Sequence, residues 1–149
     1  MLFRSVVCYL RLYVGWGTFR PVSAADYKNH QMLPEEFDLP VDTARLINDV
    51  RSRGHKIWAV GTTTVRTLES QSDERGHVSP GTGETSLYIY PGYRFKAIDH
   101  LVTNFHMPGH TPLLLTSAFA SPDLLRQAYR EAIAQRYRFF SYGDAMVIL

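Results

Sequence analysis

Short apolar runs alternate with amphipathic stretches along the chain, and the alternation predicts strands and helices in turn. Leu10, Leu12 and Val14 fall on one face of a strand, with Arg11 and Tyr13 on the other. That strand ends in the glycine-bracketed turn Gly15-Trp16-Gly17-Thr18-Phe19. Ser23 to Leu39 is polar and mixed, and reads as a long excursion with little regular structure. Pro40 and Asp42 then open a helix whose apolar stripe is Leu46, Ile47 and Val50, whose solvated face carries Arg45, Arg51 and Arg53, and whose stop is Gly54. The run Ile57-Trp58-Ala59-Val60 breaks at Gly61, three threonines follow, and Val65, Leu68 and Glu69 take up helical spacing to about Gln71. This is strand, glycine turn, helix.

Ser72 to Ser86 is punctuated by Asp73, Gly76, Pro80, Gly81 and Gly83 and reads as a loop; Leu87 to Tyr90 reads as a strand closed by Pro91-Gly92. Leu101 to Phe105 is another strand, emptying into His106-Met107-Pro108-Gly109. Thr111 to Ala120, apolar nearly all round, predicts a buried helix. Ser121-Pro122-Asp123 is a cap, a first-turn proline and an acid, so a further helix runs to about Arg136 with Leu124, Leu125, Ala128, Ala132 and Ile133 inward. After the aromatic, basic turn Tyr137 to Asp144, Ala145 to Leu149 reads as a final buried strand. Apolar strands alternating with helices give an α/β class with a mainly parallel sheet. Ligands of such sheets sit beyond the carboxyl ends of the strands, an edge that would gather Gly15–Thr18, Gly61–Thr64 and Asn104–His106.

Composition narrows this picture in two respects. With 149 residues and 45% hydrophobic content the chain fits one globular domain, and a net charge of +2 permits a nucleic-acid partner without arguing for one. Cys8 is the only cysteine, which excludes an internal disulfide and a cysteine metal cluster. Arg4 and Arg11 interrupt the apolar start, so neither an export signal nor a membrane span is expected and the reading is cytoplasmic.

The candidate chemistry lies at the turns. The corner Gly61-Thr62-Thr63-Thr64 presents hydroxyls and unpaired backbone N–H groups at the positive end of a helix, with the Arg66 cation nearby. His106, at the end of a strand and before a proline–glycine loop, is placed for proton transfer, or else is a histidine hydrogen-bonded in its loop. Tyr93-Arg94-Phe95-Lys96 interleaves aromatics with cations, as stacking on bases requires and as an ordinary exposed turn also shows. His30 to Glu35 offers one imidazole and one carboxylate, too few for a metal site, and reads as a surface loop.

Six stretches, in order, carry a family resemblance: VGWGTFRPV (14–22), AVGTTTVRTLES (59–70), YPGYRF (90–95), LVTNFHMP (101–108), LLTSAFAS (114–121) and YRFFSYGDAM (137–146). From about Leu10 to Leu149 the chain resembles the S-adenosylmethionine:tRNA ribosyltransferase-isomerase family of queuosine biosynthesis. The resemblance implies part of an α/β-barrel-like catalytic domain over residues 10–149, with residues 1–9 unmatched and the family's inserted small β-barrel domain absent. It implies transfer and isomerisation of the ribosyl part of S-adenosylmethionine onto 7-aminomethyl-7-deazaguanine at the tRNA wobble position, giving epoxyqueuosine, adenine and methionine. The implied partners are tRNA and S-adenosylmethionine, the latter consumed as a substrate, with no metal, no other cofactor and no membrane. Within that chemistry His106 is assigned proton transfer, and Glu69 and Asp144 charge stabilisation. Gly61, Thr62, Thr63 and Thr64 with Arg66 would hold an anion. Gly15, Gly17, Thr18 and Asn104 would line the pocket, and Tyr93 and Tyr142 would stack on bases.

The chain departs from the family in three ways. Members are more than twice as long, so it reads as a carboxy-terminal portion, a monomer by family but open to self-association. Leu33 stands where relatives usually carry a second histidine after His30, and the turn after His106 lacks their usual basic residue and serine before Thr111. Two alternatives follow: a catalytically inactive module that retains tRNA or S-adenosylmethionine binding, and an α/β enzyme acting on another nucleotide-like ligand through the threonine corner.

Overall fold

Ile57, Ala59 and Leu101 lie in the main core, and the pairing of the strands that carry Ala59 and Leu101 sets the frame for everything else. In the computed structural model, which describes residues 5–19, 21–22 and 24–149, Trp58–Val60 (β3) runs parallel to His100–Asn104 (β5), and Ala145–Ile148 (β6) pairs antiparallel on the other side of β5. A second sheet is wholly antiparallel, in the order Arg11–Leu12 (β1), Glu35–Leu39 (β2), Gly81–Thr85 (β4). Arg4, part of the argument against an export signal, lies outside the described residues, as do Arg20 of the VGWGTFRPV stretch and Ser23.

The α/β class holds, but the strand directions are mixed: among the described residues only β3 and β5 are parallel. The difference comes from two strands that local pattern conceals. β2 lies inside the expected polar excursion and buries Glu35, Phe37 and Leu39 while Glu36 faces out. β4 lies inside the expected loop, in a Gly-Thr-Gly-Glu-Thr segment with no apolar alternation. It forms because β2 pairs with it over its whole length, with Phe37 opposite Gly83 and its ring against the glycine's open face. Conversely, Leu87 to Tyr90 is not a strand: Ile89 is buried as its pattern requires, but the Leu87 carbonyl is taken by Arg66 Nε (3.2 Å) rather than by a ladder.

Four helices complete the described fold: Val41–Ser52 (α1), Thr62–Ser70 (α2), Thr111–Ala120 (α3) and Pro122–Ala134 (α4). Ser121 caps α4, its Oγ accepting from Leu124 N at 3.4 Å. Phe37, Leu39, Ile47, Ala59, Val65, Leu68, Leu101 and Leu115 form the main core, and Phe105, Leu125, Ala132 and Met146 a smaller one beside α4. Three expectations about faces are corrected. Arg51 is not part of a solvated face: its guanidinium donates to the carbonyls of Lys96 (2.8 Å) and Ala97 (2.6 Å) and fastens that loop to α1. Leu124 and Ile133 are exposed because α4 packs through Leu125, Ala128, Tyr129 and Ala132. β6 buries Met146 but exposes Ala145 and Val147, so it is covered on one side only.

Candidate active site

The glycine-bracketed turn and the threonine corner meet over a buried ion pair. Gly61 has φ of +90°, a conformation that a side chain would strain, and its N–H donates to Val102 O (2.8 Å), locking the end of β3 to β5 as α2 begins. Thr64 Oγ1 turns back to Val60 O (2.7 Å), which leaves Thr62 and Thr63 as the threonines that face open space. One turn further on, Arg66 points inward and pairs with Glu35, the first residue of β2, which is 2% exposed. Glu35 Oε1 also accepts from Gly15 N (2.9 Å) and Thr18 Oγ1 (2.6 Å). The arginine fork continues to Thr85 O (3.4 Å), Leu87 O and Thr18 Oγ1. A buried charge pair of this kind is tolerable because all three guanidinium nitrogens and both carboxylate oxygens find partners. Gly17 is fixed by close approach, since a Cβ there would sit 2.8 Å from Leu33 Cβ.

Above this network lies a narrow cleft with about 10 Å³ of enclosed space, room for a single water-sized group. Thr18, Thr62, Thr63 and Arg66 give it a polar wall; Met32, Tyr88, Ile89, Pro112 and Leu115 give it an apolar one. Thr111 ties the two walls, its Oγ1 donating to Thr18 O (3.4 Å). Tyr88 is held by its own hydroxyl on Tyr27 O (2.7 Å) and by rings of His30 and Tyr90 at 5.2 and 5.1 Å, and burial raises its pKa to about 12. Because Arg66 is neutralised by Glu35, an anion in the cleft would meet chiefly the Thr62 and Thr63 hydroxyls and the first amides of α2, which have no acceptor within the helix.

The third expected loop stands apart from the cleft. Asn104 is exposed at the end of β5, and His106 does not line the cleft. His106 Nε2 lies 2.7 Å from Thr103 Oγ1, its backbone N–H donates to Tyr129 Oη (2.6 Å), and that hydroxyl donates to His106 O (3.0 Å). Burial lowers the imidazole pKa to about 4, so the ring is neutral at neutral pH. Glu69, one turn beyond Arg66 on α2, does not line the cleft. Its carboxylate accepts from the backbone N–H groups of Lys96 (3.0 Å) and Ala97 (2.9 Å) and from Tyr93 Oη (3.2 Å), whose own pKa is raised by burial first and by Glu69 next. Tyr93 is therefore anchored to Glu69 rather than free to stack. Asp144 accepts from Arg138 N (2.7 Å) and Nη2 (3.4 Å), and the backbone bond chiefly lowers its pKa. Tyr142 is fully accessible in the turn between them, as is Trp16, 91% exposed, on the glycine turn.

Tyr88 and Thr111 line the cleft, Glu35 lies in the network beneath it, and none of the three was assigned to a site by the sequence reading. For Glu35 the available signal was the alternation of Glu35, Phe37 and Leu39, which puts a carboxylate on a buried face. The expected surface loop at His30 to Glu35 thus ends in a buried acid. Among the described residues no three histidine, cysteine, aspartate or glutamate side chains gather as a metal site, and no helix is long and apolar enough to cross a membrane.

The family described as queuosine biosynthesis protein matches residues 5–148. The S-adenosylmethionine:tRNA ribosyltransferase-isomerase of Symbiobacterium thermophilum is 58% identical over 140 residues, covering 94% of this chain and 41% of the relative. The protein of the same name from Natranaerobius thermophilus is 53% identical over 142 residues, covering 95% of this chain and 41% of its own length. The crystal structure of the S-adenosylmethionine tRNA ribosyltransferase of Thermotoga maritima superposes with a TM-score of 0.72 at 51% identity, over 77% of this chain and 40% of that one. The chain thus spans about two fifths of the length of the relatives it matches, and across nearly all of its own length it belongs to the queuosine biosynthesis protein family.

Proposed function

We propose that this chain is the portion of an S-adenosylmethionine:tRNA ribosyltransferase-isomerase that contributes the wall over Glu35 and Arg66 against which S-adenosylmethionine is held. The reaction is transfer and isomerisation of the ribosyl moiety onto 7-aminomethyl-7-deazaguanine in tRNA, releasing adenine and methionine. The observation that carries the reading is the cleft itself: helix-start hydroxyls and amides face an apolar and aromatic wall, which suits a ligand that is charged at one end and planar at the other. The relatives' names, at 58% and 53% identity, supply the reaction class.

Residue roles follow from chemical state. His106 is assigned proton transfer: it stands outside the cleft, so it serves a substrate that extends from the cleft to the end of β5, where its neutral imidazole, held by Thr103, takes the proton that the sulfonium acidifies on the neighbouring carbon. Glu69 acts through Tyr93, whose hydroxyl it holds. Asp144 is an ionised carboxylate beside Arg138 and steadies cationic stages. Trp16 and Tyr142, both exposed, offer stacking faces to tRNA bases, with Asn104 on the same strand end as His106. The setting is cytoplasmic, where tRNA is modified.

Adenine release from S-adenosylmethionine in the presence of precursor-bearing tRNA tests the reading. Release that requires both substrates and falls about 100-fold or more in His106→Gln is the expected result. Release unaffected by that substitution removes His106 from the mechanism. The coverage of 41% favours one second reading, a binding module. Salt-sensitive tRNA binding without adenine release would establish it instead.

A further inference from the structure

Where β5 ends at Asn104, paired with Ala145, the ladder stops, and Phe105 turns into the smaller core with His106 half-buried after it. Peptide groups at such a place need partners from outside a sheet. The Phe105 carbonyl accepts from Phe140 N (3.0 Å), while both backbone groups of His106 go to one hydroxyl on α4. Tyr129 Oη accepts from His106 N at 2.6 Å and donates to His106 O at 3.0 Å. A phenol does both only while it keeps its proton, and burial raises the Tyr129 pKa to about 12, so it keeps it at neutral pH. Its ring packs edge-on against Phe105 and Phe139, with centroids 5.4 and 5.7 Å away, which fixes where the hydroxyl stands. Thr103, on the buried side of β5, holds the imidazole at Nε2. His106 is thereby fixed at its N–H, its C=O and one ring nitrogen. Nδ1 is left as its one polar atom without a partner among the described residues.

We propose that Tyr129 is a positioning residue for the reaction, its hydroxyl holding the His106 backbone so that the ring rests on Thr103 and offers Nδ1 to the substrate. Tyr129 acts through His106, so its role rests on the proton transfer assigned to that imidazole. In that step a carbon–hydrogen bond breaks, its electron pair stays on the carbon beside the sulfonium, and the proton passes to the Nδ1 lone pair. Nε2 keeps its own proton, donated to Thr103 Oγ1. Two separate elements grip one residue, β5 by its ring and α4 by its backbone, and a loop that needed only its peptide groups satisfied has no use for the second grip.

The test is NMR of the 149-residue chain labelled at histidine, with His106→Gln assigning the ring signal. Tyr129→Phe removes the hydroxyl and keeps the ring. The wild-type imidazole titrates at about 4, lowered by burial with no charged group contributing. In Tyr129→Phe the midpoint should rise by about one pH unit or more, because a released ring regains water. Tyr137→Phe, whose ring also packs on Phe105 (5.8 Å) but takes no part in holding His106, should leave it in place. Adenine release with S-adenosylmethionine and precursor-bearing tRNA should fall in Tyr129→Phe by about tenfold or more in kcat, with KM for S-adenosylmethionine within about twofold. An unchanged midpoint in Tyr129→Phe overturns the proposal, whether or not the chain releases adenine. So does wild-type kcat in that variant beside a loss in His106→Gln. Wild-type release in both variants instead removes the proton-transfer reading, and the role of Tyr129 in the reaction falls with it even if the midpoint moves. Should Tyr129→Phe not fold, the wild-type chain decides. A slowly exchanging Tyr129 hydroxyl proton with a nuclear Overhauser contact to the His106 amide, and a neutral ring protonated at Nε2, are expected, and the absence of either refutes the inference.

Discussion

Glu35→Ala is the most incisive perturbation of the cleft, because it removes one half of a charge pair that no solvent can replace. The side chains of Glu35 and Arg66 are 0% and 7% exposed; Glu35 accepts from Arg66, Gly15 N and Thr18 Oγ1, and Arg66 donates to Glu35 and to backbone carbonyls. Removing one partner of a buried pair costs about 3–5 kcal/mol, since the other charge stays behind without compensation. Gly15 N and Thr18 Oγ1 also lose their acceptor, but both border the cleft turn, where water can substitute. At about 2–4 °C per kcal/mol for a chain of this size, the melting temperature should fall by roughly 6–20 °C. Urea unfolding followed by circular dichroism measures the free energy directly. The double variant Glu35→Met with Arg66→Met should recover most of the loss, because an apolar pair of similar volume removes both desolvation costs. If Glu35→Ala costs less than about 1 kcal/mol, or if the double variant is worse than either single one, the argument that this pair organises the cleft is wrong.

Three further outcomes are expected. Gly61→Ala forces a side chain into φ of +90° and should cost about 1–3 kcal/mol, read from the urea midpoint, while weakening S-adenosylmethionine binding by calorimetry through the displaced start of α2. Glu69→Gln keeps the shape but places an amide against the N–H groups of Lys96 and Ala97, and should lose about 1–3 kcal/mol of stability; an unchanged melt with lost adenine release would make Glu69 purely chemical. The His106 pKa is lowered in the fold to about 4, so the unfolded chain binds the extra proton first. Stability contributed by the neutral ring is present above the unfolded pKa near 6.5 and drains away as pH falls towards 4, by on the order of 2–3 kcal/mol in urea titrations. His106→Gln should flatten that slope.

The parts of the fold written in local pattern were readable. Ser121, Pro122 and Asp123 announce α4, and the apolar run broken by Gly61 announces β3 and α2, because caps and glycine turns act within a few residues. β4 was not readable, since a Gly-Thr-Gly-Glu-Thr segment becomes a strand only through pairing with β2, some 46 positions earlier by register at Phe37 and Gly83. The site divides the same way. Thr62, Thr63, Arg66 and Thr18 were visible as turn chemistry, whereas Glu35 was hidden because acidity signals surface unless the partner is known, and the partner is 31 residues away. Arg51 misled for the same reason, its acceptors being the carbonyls of Lys96 and Ala97. Long-range pairing of polar groups leaves no periodic trace.

The Glu35–Arg66 pair also has a mechanical meaning. Glu35 opens a strand of the antiparallel sheet, Arg66 sits on the helix that leaves the other sheet, and the fork reaches on to the end of β4. One ionic cross-link therefore couples two sheets that share no strand. Their amides should exchange with deuterium as a single slow unit, whereas α4 and β6, which pack on the separate Phe105 cluster, open earlier and independently.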